Sequence, residues 1–201
     1  MKYSKYHALG NDYIVIDPRE APELYPEQIE RICHRHFGAG SDGILYGPFS
    51  DSENDIILKI YNPDGSEAEK SGNGLRIFSR YLYDIKDVGA EQFSILTEGG
   101  LVKSTVEENG QLVTVEMGGV SFNADVIPVN GQSGEVLDVP VELDGLDATY
   151  SAATVGNPHC ILIRDEISPE ETKKWGPILE NDERFPNRSN VQFMKLSLIH
   201  I

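Results

Sequence analysis

Ser71-Gly-Asn-Gly-Leu-Arg-Ile-Phe-Ser-Arg-Tyr-Leu-Tyr-Asp-Ile85 is the stretch on which the fold turns. Leu75, Phe78, Leu82 and Ile85 recur at i, i+3, i+7 and i+10, which predicts a helix with one apolar stripe to bury. Ser71 stands where that helix begins, and serine is among the best N-cap residues. Gly72, Asn73 and Gly74 follow, so first-turn N–H groups and the positive end of the helix dipole face whatever lies there. A carboxylate site and a plain structural cap are both open on these residues. The helix is expected to be the central helix of a first domain.

Upstream, Tyr13 to Asp17 reads as a short buried strand, and Pro26 opens a helix through Ile29, Ile32 and Cys33, with Gly38 as its stop. Asp55 to Tyr61 is β-rich and ends at Asn62-Pro-Asp-Gly65, where Pro sets one central φ and Gly tolerates what a Cβ would forbid, predicting a tight turn. Downstream, residues 91–97, 101–107, 111–117, 125–129, 135–141, 148–155 and 160–164 read as short strands broken by Gly, Asn and Asp. Ser168-Pro-Glu-Glu171 has the form of a capping box with Pro at the first helical position, starting a helix through Lys174 to Leu179. The paired glycines Gly118-Gly119 predict a junction between domains 1–118 and 119–201. Ala8-Leu-Gly-Asn11 is echoed in form by Thr154-Val-Gly-Asn157, a weak hint of internal repetition.

At 201 residues and 39% hydrophobic content the chain can bury a sizeable core, as one large domain or two small ones. The apolar run Ile14 to Ile16 near the start is too short for a signal segment or a membrane span, so a cytoplasmic protein is expected. The formal charge of −16 repels polyanions, which argues against nucleic acid and anionic membrane as partners and leaves small zwitterionic or cationic ligands. Cys33 and Cys160 have neither CxxC nor finger spacing, so reduced buried thiols are expected rather than a disulfide or structural zinc. His34 and His36 are two residues apart and face different ways on a helix, so no metal site is expected. Gly38-Ala-Gly-Ser-Asp-Gly43 lacks both the GxGxxG pattern and the Gly-Lys-Ser/Thr of Walker A, which leaves nucleotide binding without support.

Asn11, Asn62, Asn73, Asn157 and Asn190 all fall at expected loop or element ends. Taken singly each is an ordinary turn residue; together their amides can fix the carboxylate and ammonium of an amino acid. Gly156-Asn-Pro-His159 sets a histidine, a candidate proton carrier, beside a rigid turn.

Read in order, His7-Ala-Leu-Gly-Asn-Asp-Tyr13, Asn62-Pro-Asp-Gly-Ser-Glu67, Ser71-Gly-Asn-Gly74, Gly156-Asn-Pro-His159 and Arg184-Phe-Pro-Asn-Arg-Ser-Asn190 resemble the motifs of the diaminopimelate epimerase family, from position 3 to about 195. The resemblance implies an α+β fold of two similar domains, each a curved, mainly antiparallel sheet around a central helix, with substrate in the cleft between them. It implies a cofactor-independent isomerase of lysine and cell-wall precursor biosynthesis that interconverts LL- and meso-2,6-diaminopimelate. One cysteine thiolate removes the α-proton and a second thiol, from the other domain, protonates the opposite face. By motif position Asn11, Asn62, Gly72, Asn73, Asn157 and Asn190 bind substrate, Ser71 takes the place of the first catalytic cysteine, and His159 lies near the site. Neither cofactor nor metal is implied, and a homodimer is compatible.

Three departures accompany the resemblance. Ser71 replaces a cysteine, and a hydroxyl near water's ~15.7 against about 8.5 for a thiol leaves a gap of ~7 units, roughly 10 kcal/mol, in reaching the anion. A helix terminus recovers only about 1–2 kcal/mol of that. The chain stops at Leu198-Ile-His-Ile201, before the family's second Cys-Gly motif, and Leu196 to Ile201 looks unlike the family, so an incomplete second domain of low stability is expected. Gly43 stands where many members carry Gln. The expected function is therefore a diaminopimelate epimerase-like isomerase whose activity is altered, weakened or lost, because Ser71 replaces one catalytic cysteine and the second is absent from these 201 residues. A non-catalytic amino-acid-binding relative and a racemase of another amino acid are the alternatives. An isomerase like that of phenazine biosynthesis ranks below both, because no matching acidic residue is found.

Overall fold

The computed structural model describes residues 1–50, 56–141, 143 and 145–196. The chain divides into two compact units, Met1–Gly118 and Gly119–Ile201.

In the first unit β1 (Ser4–Ala8), β2 (Asn11–Ile16), α1 (Pro26–Cys33), β3 (Ile44–Ser50), β4 (Ile56–Tyr61) and β5 (Glu67–Ala68) precede α2 (Gly72–Asp84). β6 (Phe93–Thr97), β7 (Gly100–Glu107) and β8 (Leu112–Glu116) follow it. Among the described residues these strands form one eight-stranded sheet in the order β1-β2-β3-β4-β6-β7-β8, with β5 paired to β4. The β2/β3 and β4/β6 pairs are parallel and the remaining pairs antiparallel.

Both edge strands, β1 and β8, touch α2, so the sheet curls round the helix. The helix is buried accordingly: Leu75, Ile77, Phe78, Ser79, Tyr81 and Leu82 are all buried, an arc of roughly 200° at 3.6 residues per turn, twice that of a surface helix. Burying Ser79 on that arc requires partners, and its Oγ reaches Leu75 O at 2.8 Å and Ser104 Oγ at 2.7 Å. Side-chain alternation in β2 divides its residues between two cores. Tyr13 and Val15 pack with α2, while Ile14 and Ile16 pack with Ile29 and Cys33 of α1. A strand covered on both faces loses its apolar/polar alternation, which is why Tyr13 to Ile16 reads as a continuous apolar run.

In the second unit β9 (Val139–Pro140), β10 (Thr149–Thr154), β11 (Pro158–Ile163) and β12 (Asn190–Met194) form a sheet in the order β12-β11-β10-β9, and α3 (Pro169–Glu180) lies between β11 and β12 in sequence. The β11/β12 pair is parallel. Ser168 Oγ caps α3 by accepting the Glu171 N–H at 3.0 Å. Trp175 and Leu179 of α3 pack on Tyr150, Ala152, Cys160 and Leu162, the residues of β10 and β11 that share one face.

Several sequence expectations need correction. α1 ends at Cys33, not at Gly38. His34 turns extended, and its Nδ1 accepts the N–H groups of His36 at 3.1 Å and Phe37 at 3.2 Å, donors that a longer helix would have needed. Residues 125–129 are turns rather than a strand, because Asn123 draws the chain round: its Oδ1 accepts the Asp125 N–H and its carbonyl the N–H groups of Val126 and Ile127. Of 135–141 only Val139–Pro140 is a strand, beside an isolated Asn123/Glu135 bridge, since the left-handed φ of Asp138 breaks the pleat. β11 begins at Pro158, so His159 is a strand residue and not a loop residue. Ile85 is 38% exposed as the C-cap and does not join the buried stripe of α2. β1, β3, β5 and β12 lie outside the expected strands, and the β3/β4 register shifts between Tyr46 and Phe49, where Gly47 and Pro48 form a bulge. Asp55 and residues 197–201 lie outside the described residues.

Candidate active site

Ser71 is the N-cap of α2: its backbone is extended, its Oγ accepts the Gly74 N–H at 3.0 Å, and its carbonyl receives the first helical bond, from Leu75. The N–H groups of Gly72 and Asn73 precede the first intrahelical donor, the Leu75 N–H, and so remain for an anion at the positive end of the helix. Gly74 is needed for this arrangement, because a Cβ there would lie 3.0 Å from Leu45 Cδ2 and 3.1 Å from both Cβ and Oγ of Ser71. The second partner of Ser71 Oγ is the hydroxyl of Tyr13, 3.2 Å away and brought up by β2. Tyr13 is almost wholly buried, and burial pushes its phenol above the ordinary tyrosine value.

A polar chain orients the amides beside Ser71. Asn73 Nδ2 donates to Asn11 Oδ1 at 3.3 Å, and Asn11 Nδ2 donates to Asp42 Oδ2 at 3.1 Å. Asp42 also accepts the Asp12 N–H and is paired with Arg35, which bonds Asp12 as well; Lys5 closes the group through Asp12 at 2.9 Å. The Arg35 and Lys5 cations hold the Asp12 carboxyl well below the usual carboxylate range, so Asp12 is ionised at neutral pH. Its effect is to choose which end of each asparagine amide points where, leaving Asn73 Oδ1 as an acceptor at the helix terminus. Asn62 is held apart from this chain in its own turn, with Nδ2 on Ser66 Oγ at 3.0 Å. The turn nonetheless starts beside Tyr13: a Cβ on Gly43 would lie 2.5 Å from Tyr61 O and 2.7 Å from Tyr13 Cε1.

In the second unit Asn157, His159 and Asn190 form a separate group. His159 is paired in register with Asn190, whose Nδ2 donates to Pro158 O at 3.0 Å. Gln192 Nε2 lies 2.9 Å from His159 Nδ1, and His159 Nε2 lies 3.2 Å from Asn157 Oδ1. With Gln192 donating to Nδ1, the ring carries its proton on Nε2 and donates it to Asn157. Burial holds the ring below the ordinary histidine value, so it is neutral at pH 7 with both nitrogens engaged.

The two cysteines are free and buried. Burial pushes Cys160 up to about 12 and raises Cys33 too, so neither is a thiolate near neutrality. Sequence reasoning singled out Ser71 and the asparagines as candidates but missed Tyr13, Asp12, Asp42, Lys5, Arg35 and Gln192 as their partners. Asp12 and Tyr13 lie inside the His7-to-Tyr13 motif, and Asp42 lies in the glycine-rich segment considered for nucleotide binding, so only their roles were hidden.

The family model described as Diaminopimelate epimerase matches residues 3–123. The chain is 55% identical over 197 residues to "Diaminopimelate epimerase 2" of Nostoc sp., covering 98% of this chain and 69% of that protein. It is 38% identical to the "Diaminopimelate epimerase" of Methanothermobacter thermautotrophicus, over 96% of this chain and 70% of that one. Among solved structures, a probable proline racemase from Agrobacterium radiobacter superposes with a TM-score of 0.66 at 15% identity, covering 98% of this chain and 67% of the other. A hydroxyproline epimerase from Agrobacterium vitis superposes with a TM-score of 0.61 at 17% identity, covering 94% and 64%. At such identities the structures speak for the fold alone: a mixed α+β architecture with a curled sheet. The motif order, the sheet curled about α2, the family match over more than half the chain and the identity to the Nostoc protein agree, and the chain belongs to the diaminopimelate epimerase family.

Proposed function

We propose that this protein is a cofactor-independent amino-acid epimerase that interconverts LL- and meso-2,6-diaminopimelate, in lysine and cell-wall precursor biosynthesis. The observation that carries the proposal is Ser71 at the positive end of α2, beside N–H groups and oriented amides suited to an amino acid's carboxylate, in a chain 55% identical to a protein named for that activity. The Gly72 and Asn73 N–H groups hold the α-carboxylate. As the α-proton leaves, negative charge spreads onto that carboxylate, and donors already in place stabilise it more in the transition state than in the ground state. Ser71 occupies the proton-transfer position. Asn11, Asn62 and Asn73 in the first unit and Asn157 and Asn190 in the second are assigned to substrate. His159 is assigned to fixing the Asn157 amide through its Nε2–H. Among the described residues no helix is long and apolar enough to cross a membrane. Biosynthetic relatives support a cytoplasmic enzyme acting on a small amino acid, with a homodimer as its assembly.

One observation favours a second reading, a non-catalytic amino-acid-binding relative. Ser71 Oγ is already occupied as a cap, and the Cys33 and Cys160 thiols are buried. Deuterium incorporation at the α-carbon in heavy water separates the two. The full-length protein is expected to exchange slowly and its Ser71→Cys variant faster, because the thiol reaches its anion far more readily. Binding of diaminopimelate by calorimetry with no exchange by either protein would leave only the binding role.

A further inference from the structure

Serine at a proton-transfer position needs a group that can take the charge a serine cannot hold. The two hydrogen bonds of Ser71 Oγ go to the Gly74 N–H at 3.0 Å and the Tyr13 hydroxyl at 3.2 Å. A serine oxygen has two lone pairs and one hydrogen. With Gly74 donating to one lone pair and Tyr13 to the other, the Ser71 hydrogen is left to point at a ligand. The placement of Tyr13 is enforced, because its ring fills the space beside Gly43 that a side chain there would occupy, with an added Cβ only 2.7 Å from Cε1. Val15, two residues on along the same face of β2, anchors the strand in the α2 core.

We propose that Tyr13 is a positioning and proton-relay residue acting through Ser71, and that the Tyr13–Ser71 hydroxyl pair is what carries the proton at this position. The inference rests on the epimerase reading above. In the donating direction the Ser71 O–H bond breaks as the new C–H bond forms, and the Tyr13 O–H bond breaks as Ser71 recovers its hydrogen. The charge thus passes from the α-carbanion to the phenol oxygen. The phenolate so formed is reprotonated by solvent water. The accepting direction starts from the phenolate, made by loss of the phenol proton to solvent hydroxide, and Ser71 takes the α-proton as its own hydrogen passes to Tyr13, which ends as a phenol. The charge never has to rest on an alkoxide, since a phenol ionises near 10 and an aliphatic hydroxyl several units higher. Burial raises the phenol, the Ser71 hydrogen bond offsets part of that rise and Asp42 adds to it, so the resting pair is neutral.

The test is α-proton exchange in heavy water by four full-length proteins: the parent, Tyr13→Phe, Ser71→Cys and the double variant. Tyr13→Phe keeps the ring and removes only the hydroxyl. In the serine background it should lower kcat for exchange about 100-fold, the usual scale of a lost proton carrier, with KM nearly unchanged. In the Ser71→Cys background it should cost less than about threefold, because a thiol holds the charge itself. Equal losses in the two backgrounds would mean that the hydroxyl only supports the fold, since independent structural effects add; that outcome overturns the relay. So does a Tyr13→Phe protein as active as the parent. Exchange by Ser71→Cys but not by the parent overturns the relay and leaves the epimerase site standing. Exchange by none of the four overturns both.

Discussion

Ser71 is a helix cap whose second partner is a buried phenol, and one oxygen serves both bonds. The cap bond to Gly74 is worth about 1 kcal/mol to the helix. The bond to Tyr13 exists only because Gly43 has no side chain. Gly43→Ala would bring a methyl 2.5 Å from a backbone oxygen, Tyr61 O, which has no rotamer to move, and 2.7 Å from the Tyr13 ring. Overpacking of that kind should cost about 1–3 kcal/mol, read as a lower denaturant midpoint. An unchanged midpoint would show that β2 can shift to accept the methyl, and would weaken the case for an enforced Tyr13. His159 shows the opposite relation between residue and surroundings. As a residue type it suggests a proton carrier, but Gln192 and Asn157 use both its nitrogens.

α2 and α3 are stabilised differently, although both begin with a capping serine. α2 is enclosed by the sheet over roughly 200°, whereas α3 lies against one sheet face and buries only Trp175 and Leu179. Each anchor of α3 therefore matters more to its unit. Leu179, fully buried, packs in the core of Tyr150, Cys160 and Leu162, and Leu179→Ala should destabilise the second unit by about 2–5 kcal/mol. Trp175 is the single tryptophan of the chain, so its fluorescence reports the second unit without interference from the first. The transition followed at Trp175 should move to lower denaturant, and no movement would mean that α3 is not held by this contact.

At the scale of the whole molecule the charge of −16 and the paired carboxylates pull stability in opposite directions with pH. As pH falls from 8 towards the isoelectric point near 4.6, protonation relieves mutual repulsion, so the thermal midpoint should rise slightly at low ionic strength and less in high salt. Arg35 and Lys5 hold Asp12 below the usual carboxylate range, and Arg184 does the same for Asp182. Burial would raise Asp17, but the guanidinium and N–H of Arg19 outweigh it. A carboxylate whose folded value is depressed contributes stability that is complete above its unfolded value of about 4 and is lost as pH falls towards the folded one. The midpoint measured by circular dichroism should therefore pass through a maximum near pH 5 and drop steeply below about 4. A midpoint that keeps rising to pH 3 would mean that these pairs contribute little. The sequence by itself determined what depends on neighbours along the chain: the α2 stripe at Leu75, Phe78 and Leu82, the Asn62-to-Gly65 turn, the Ser168 cap, and the ordered motifs that mark the family. Local spacing carries those signals directly, through helical period, fixed φ and capping chemistry. Only the tertiary structure decided that β2 is covered on both faces, that α1 stops at Cys33, and that Tyr13 meets Ser71 and Asn73 meets Asn11 across some sixty residues. Those pairings are set by strand register and by the curl of the sheet about α2, which come from packing of the whole unit and leave no periodic trace in the chain.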